Sequence, residues 1–96
     1  MAEEFVGIEK TLEVRNGLGL HARVATSIVR ALQNYSCQVT LVKDDVEVDA
    51  RSVLGLLLLA ATPGSTLLAR ATGPDSMDAI GALDRLFRDE NAETIR

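Results

Sequence analysis

The apolar residues of this chain change their spacing repeatedly, from every second residue to every third or fourth and back, and that switching leaves few folds open. Ile8, Lys10, Leu12 and Val14 alternate with Glu9, Thr11, Glu13 and Arg15, which predicts a half-buried strand. Asn16-Gly17-Leu18-Gly19 breaks that pattern. From Ala22 to Asn34 the spacing turns helical, with Val24, Ala25, Ile28, Val29 and Leu32 on one stripe. Cys37, Val39 and Leu41 return to alternation, and Asp44-Asp45 turns them into Val46-Glu47-Val48-Asp49, so a hairpin is expected. Ser52 stands before an apolar run, Val53 to Ala61, read as a short helix although Gly55 weakens it; Pro63-Gly64 stops the run. A fourth strand follows over Thr66 to Thr72, with Leu67, Ala69 and Ala71 inward. After Gly73-Pro74 comes a last helix, with Asp75 placed to cap it, Asp78 in its first turn, and a stripe of Met77, Ile80, Leu83, Leu86 and Phe87.

The order β-α-β-β-α-β-α fits an α+β fold, one mostly antiparallel sheet carrying its helices on a single face. At 96 residues the chain is expected to be one domain over 1–96, with a core of about 8–90 and frayed ends at 1–7 and 90–96. It is too short for a cleft between two domains. An apolar fraction of 47% excludes disorder as the default state. Fourteen acidic against ten basic residues give a net charge of −4, without the basic excess that nonspecific nucleic-acid binding needs. Val53 to Ala61 falls well short of the ~20 apolar residues of a membrane span. Met1-Ala2-Glu3-Glu4 is acidic where a leader would be basic, so a cytoplasmic protein without membrane insertion is expected. Cys37 is alone and reads as a core residue; one histidine and one distant cysteine make no metal site, and no cofactor is implied.

Two positions carry candidate chemistry. His21 lies between the glycine-containing loop and the first helix. A helix start presents amides without intrahelical partners and the positive end of the macrodipole, which disfavours imidazolium and stabilises an anion beside the ring. A neutral imidazole there can act as a nucleophile, and the Arg23 guanidinium, two residues on, suits phosphate oxygens. A lone histidine at such a position is more commonly a cap or a surface residue. Neither Ser27 nor Ser52 makes a nucleophilic triad with it. Ser52 itself reads plainly as an N-cap. The run it opens is too apolar all round for an ordinary surface helix, so part of it should remain as an exposed apolar patch.

Gly19-Leu20-His21-Ala22-Arg23 resembles the phosphorylation motif of the HPr family, the histidine-containing phosphocarriers of the bacterial phosphoenolpyruvate-dependent phosphotransferase system. Ser52-Val53-Leu54-Gly55, Pro63-Gly64 and the element order extend the resemblance over roughly residues 8–90. It implies an HPr-like open-faced β-sandwich, a four-stranded antiparallel sheet with three helices on one face. His21 would be phosphorylated on Nδ1 by enzyme I, Arg23 would steady the phosphoryl group, and Ala22 would contribute a backbone N–H. The chain would then be a carrier rather than an enzyme, passing phosphate to sugar-specific or regulatory acceptor proteins, and a monomer. Ser52 matches the serine that an ATP-dependent HPr kinase modifies in some bacterial lineages. Thr26, Arg30, Leu54 and Leu57 match the family's docking surface. Val24 departs from the proline usual after the arginine: proline fixes φ early in a helix, whereas valine restores an N–H. The helix is expected to start in the same place, with looser ordering around His21. The alternative is a regulatory module of the same fold that acts through Ser52 and docking without carrying phosphate.

Overall fold

A computed structural model describes residues 7–15, 19–59 and 61–88. In chain order these form β1 (Ile8–Glu13), α1 (Ala22–Leu32), β2 (Gln38–Lys43), β3 (Val46–Asp49), α2 (Val53–Leu58), β4 (Thr66–Thr72) and α3 (Ser76–Arg88). The strands make one sheet in the order β1-β4-β2-β3, antiparallel throughout. The expected order and the open-faced sandwich are therefore what forms. The predicted frayed ends, Gly7 apart, and Asn16-Gly17-Leu18 lie outside the described residues.

Alternation in the central strands decides which face is covered. Leu67, Ala69 and Ala71 of β4 are buried, as are Leu12 of β1 and Val39 and Leu41 of β2, and the helices lie over this face. Alanine at two of the central positions lets α3 lie close across β1 and β4. The other face of the sheet carries no helix among the described residues. There Arg70 Nε donates to Glu9 Oε2 at 2.7 Å across the β1–β4 register. α1 turns Val24, Ala25, Ile28 and Leu32 into the core, and α2 sits against α1 and β3. Gly55 explains itself here: a Cβ on it would come to 3.1 Å from Val48 Cβ, so the glycine that weakens the helix lets α2 approach β3. Cys37 is buried as expected, and its burial, with the Asp75 carboxylate beside it, pushes the thiol above its ordinary range.

Two expectations need correction, both near the start of α3. Met77 is 74% exposed; the buried face runs through Ser76, Ala79, Ile80, Leu83 and Phe87. Ser76 takes the inward place in the first turn because its hydroxyl donates to the Gly73 carbonyl at 2.8 Å, which makes a polar side chain cheap to bury. Asp75 does not spend its carboxylate on α3. Both oxygens accept from the α1–β2 connection instead, from Ser36 N–H at 2.7 Å and Cys37 N–H at 2.9 Å.

The Ser36 bond is the main reason the Asp75 carboxyl sits below its ordinary range, with the Cys37 bonds adding to it and desolvation opposing. A carboxyl whose pKa is depressed on folding stabilises the protein above its unfolded pKa, and that stabilisation is lost as pH falls through the folded value. Thermal melts of wild type and Asp75→Asn across the acid range check this. The gap between them should be widest near neutral pH and should narrow below about pH 4; parallel curves would show that the carboxylate charge contributes nothing.

Candidate functional site

The segment that presents the histidine is anchored to the α2–β4 connection. Beyond the end of β1 the ladder continues as Val14 N–H to Ser65 O at 2.9 Å and Gly64 N–H to Val14 O at 2.8 Å. Leu20 N–H then donates to Ala61 O at 2.9 Å, and the Leu20 side chain is buried. Gly19 has a φ of +78°, and a Cβ there would lie 2.6 Å from that same Ala61 oxygen. The glycine meets two demands at once, a left-handed backbone and contact with a neighbouring peptide.

His21 follows as the N-cap of α1, in extended conformation at φ −111° and ψ −178°. Its carbonyl accepts the first intrahelical bond, from Ala25 N–H at 2.8 Å, so the Ala22 amide precedes the ladder. The ring does not cap the helix. Nε2 is buried without a hydrogen-bond partner among the described residues. With the ring proton on Nε2, Nδ1 keeps the lone pair that a nucleophile needs. No acidic side chain occupies the first turn, so nothing there already compensates the positive helix end. Ala22 and Arg23 are exposed beside His21. Val24 is 3% exposed, so the residue standing where a proline is usual is part of the core, and the helix begins at Ala22 all the same.

Ser52 lies at the other exposed helix start. Its Oγ accepts from Gly55 N–H at 2.9 Å, and its carbonyl accepts from Leu56 N–H at 2.9 Å, which makes it the N-cap expected of it. α2 buries Leu56 and exposes Leu54 (69%) and Leu57 (36%), the partial exposure anticipated from its composition. Thr26 and Arg30 lie on the exposed face of α1, with the Thr26 hydroxyl donating to the Ala22 carbonyl at 2.9 Å. Because α1 packs against α2, the structure brings Thr26, Arg30, Leu54 and Leu57 onto two adjoining helices. Leu58, 65% exposed, extends the patch; the all-apolar run hides it, since periodicity cannot say which of four consecutive leucines faces out. Arg51 also escapes a reading by pattern. Its guanidinium donates to three carbonyls, that of Leu32 at the end of α1 and those of Tyr35 and Cys37 beyond it, and nothing in the sequence signals those partners. No cluster of three or more metal-ligating side chains occurs among the described residues, and no helix among them is long and apolar enough to cross a membrane.

The arrangement is thus a half-buried imidazole at a helix start with no acidic residue in its first turn, an arginine beside it, and an apolar patch on the neighbouring helix. Comparison with known proteins agrees with it. The family model for the "PTS HPr component phosphorylation site" matches residues 8–89. Phosphocarrier protein HPr of Treponema pallidum is 38% identical over 86 residues, covering 90% of this chain and 98% of that protein. Phosphocarrier protein NPr of Escherichia coli K12 is 36% identical over 81 residues, 83% of this chain and 90% of the relative. A crystal structure of HPr from Thermoanaerobacter tengcongensis superposes with a TM-score of 0.82 at 32% identity, covering 93% of this chain and 98% of that one.

Proposed function

This chain belongs to the HPr family of phosphotransferase-system phosphocarriers, and from that premise we propose that it receives a phosphoryl group on His21 Nδ1 from phosphorylated enzyme I and hands it to acceptor proteins, sugar-specific or regulatory. The observation that carries this is the burial of His21 Nε2 at the start of α1, which leaves Nδ1 as the ring nitrogen to react. Phosphoryl transfer asks a protein chiefly for positioning and charge stabilisation. The Ala22 amide and the helix end supply part of that charge, and Arg23 supplies a planar guanidinium suited to phosphate oxygens. The group must leave as readily as it arrives, which suits a shallow site completed by each partner in turn. The chain acts here as one carrier domain, in the cytoplasm and as a monomer, and catalysis belongs to its partners. Incubation with phosphoenolpyruvate and enzyme I should place acid-labile, base-stable phosphate on the protein; no uptake under those conditions would overturn the carrier reading.

Ser52 adds a regulatory site to this proposal. Its hydroxyl is fixed at the edge of the Leu54–Leu57 patch, and a phosphate there would bring ~1.5–2 negative charges to the docking surface. With ATP and an HPr kinase, wild type should acquire acid-stable phosphate and Ser52→Ala none. The substitution also removes the cap, so a loss of about 1 kcal/mol is expected in denaturant unfolding. An unmodified wild type removes the regulatory role and leaves Ser52 a cap only.

A further inference from the structure

We propose that Arg51 is a positioning residue for this phosphoryl transfer: it locks α1 and α2 into the one relative placement that partners recognise. The inference rests on the carrier reading above. Nη1 of Arg51 donates to the Cys37 carbonyl at 2.8 Å, and Nη2 donates to the carbonyls of Leu32 at 2.9 Å and Tyr35 at 2.7 Å. Leu32 is the last residue of α1, and its carbonyl, which also accepts from Tyr35 N–H at 3.1 Å, lies beyond the helix's own ladder. The cation also sits at the negative end of the helix, where it is favoured.

The other end of the same residue is fixed just ahead of α2. Arg51 N–H donates to Asp49 Oδ1 at 2.8 Å, and Ser52 N–H donates to the Asp49 carbonyl at 3.0 Å. Ser52 then caps α2. A single side chain therefore ties the end of one exposed helix to the start of the next. The planar guanidinium suits this task, because its forked donors reach three acceptors that a lysine ammonium, a compact charge, cannot hold in the same arrangement.

α1 carries His21, Thr26 and Arg30, and α2 carries Leu54, Leu57 and Leu58, so a partner that covers both must meet them in one placement. His21 is at the far end of α1 from Leu32, and its anchoring runs through Ala61 rather than Arg51. Loss of Arg51 should consequently weaken docking and leave the chemical step alone.

The test is the rate of phosphoryl transfer from phosphorylated enzyme I as a function of carrier concentration, for wild type, Arg51→Met, Arg51→Lys and Leu83→Ala, each well below its melting temperature. Leu83 is fully buried on α3 and serves as a control for lost stability. Arg51→Met should raise KM about tenfold with kcat unchanged, Arg51→Lys should raise it less, and Leu83→Ala should keep the wild-type KM. Residual dipolar couplings should show α2 reoriented against α1 in the Arg51 variants only. If Arg51→Met fails to fold, the comparison of Arg51→Lys with Leu83→Ala decides the matter in the same way. An unchanged KM in both Arg51 variants, or an equal rise in Leu83→Ala, overturns the proposal. A failure of the carrier reading is distinguishable, because wild type and Leu83→Ala would then take up no phosphate either.

Discussion

His21→Ala is expected to take up no phosphate from phosphoenolpyruvate and enzyme I while keeping nearly all of its stability. The second half of that expectation makes the first informative. The imidazole makes no capping bond to α1, and the backbone at this position is extended, a conformation open to alanine. What His21 contributes to folding is its main chain, through the carbonyl that accepts from Ala25 and the N–H that donates to Gly19 O at 3.1 Å, and alanine retains both. The side chain is only partly buried, so its loss should cost no more than about 1 kcal/mol. Uptake, by contrast, should vanish completely, because the chain has no second histidine to accept an acid-labile phosphate. Arg23→Ala should retain uptake at a rate reduced about 10–100-fold, the factor expected for losing charge-assisted bonds to a phosphoryl group. Quantifying base-stable phosphate and thermal melts on the same samples checks all of this. Phosphate on His21→Ala would move the site elsewhere. Phosphate on Ser52 alone in wild type would favour the regulatory module over the carrier.

What could be read before the structure, and what could not, divides by range. β4 is legible because Leu67, Ala69 and Ala71 recur at every second position with Thr66, Arg70 and Thr72 off that face, a local signal of a strand buried on one side even with Leu68 among the outward residues. α1 is legible because its apolar stripe has the right period, and the Ser52 cap because it lies three residues from the amide it accepts. The motif around His21 is contiguous, so its resemblance to the HPr family needs no tertiary information. The Asp75 bonds join residues 38 and 39 positions apart, and those of Arg51 span 14 to 19. No propensity or periodicity encodes such partners. Sequence alone therefore gives Asp75 the nearest task a carboxylate performs, capping its own helix. Met77 misleads for a related reason: an apolar residue at the right spacing reads as core, but the helix is rotated by the tertiary demand to bury Ser76 and Ala79. Orientation is a similar case. Sequence places an imidazole at a helix start, but only the packed loop determines that Nε2 turns inward.

That packed loop leads to a large stability effect from a single methyl group. Gly19→Ala should destabilise the protein by on the order of 3 kcal/mol, from two additive sources. A left-handed φ costs an L-residue about 1–2 kcal/mol, and Gly19 stands at +78°. The new Cβ would also lie 2.6 Å from Ala61 O, 3.2 Å from Pro63 Cδ and 3.3 Å from Thr62 Cα. These neighbours are backbone atoms and a ring, so relief requires the two connections to separate and the 2.9 Å bond from Leu20 N–H to Ala61 O to break. Gly64→Ala is the matched control: its φ is +88°, but nothing lies within 4 Å of the added carbon, so it should cost the conformational part alone, about 1 kcal/mol. In melts, Gly19→Ala should fall by roughly 15 °C and Gly64→Ala by roughly 5 °C. The separation of the two connections should also reach the chemistry, since Gly19 O accepts the His21 N–H and Leu20 supports the turn before it. Gly19→Ala should therefore accept phosphate from enzyme I more slowly even at temperatures where it is fully folded, and Gly64→Ala should accept it at the wild-type rate. Equal losses in the two variants would show that the close approach to Ala61 contributes nothing and that His21 is positioned by α1 alone.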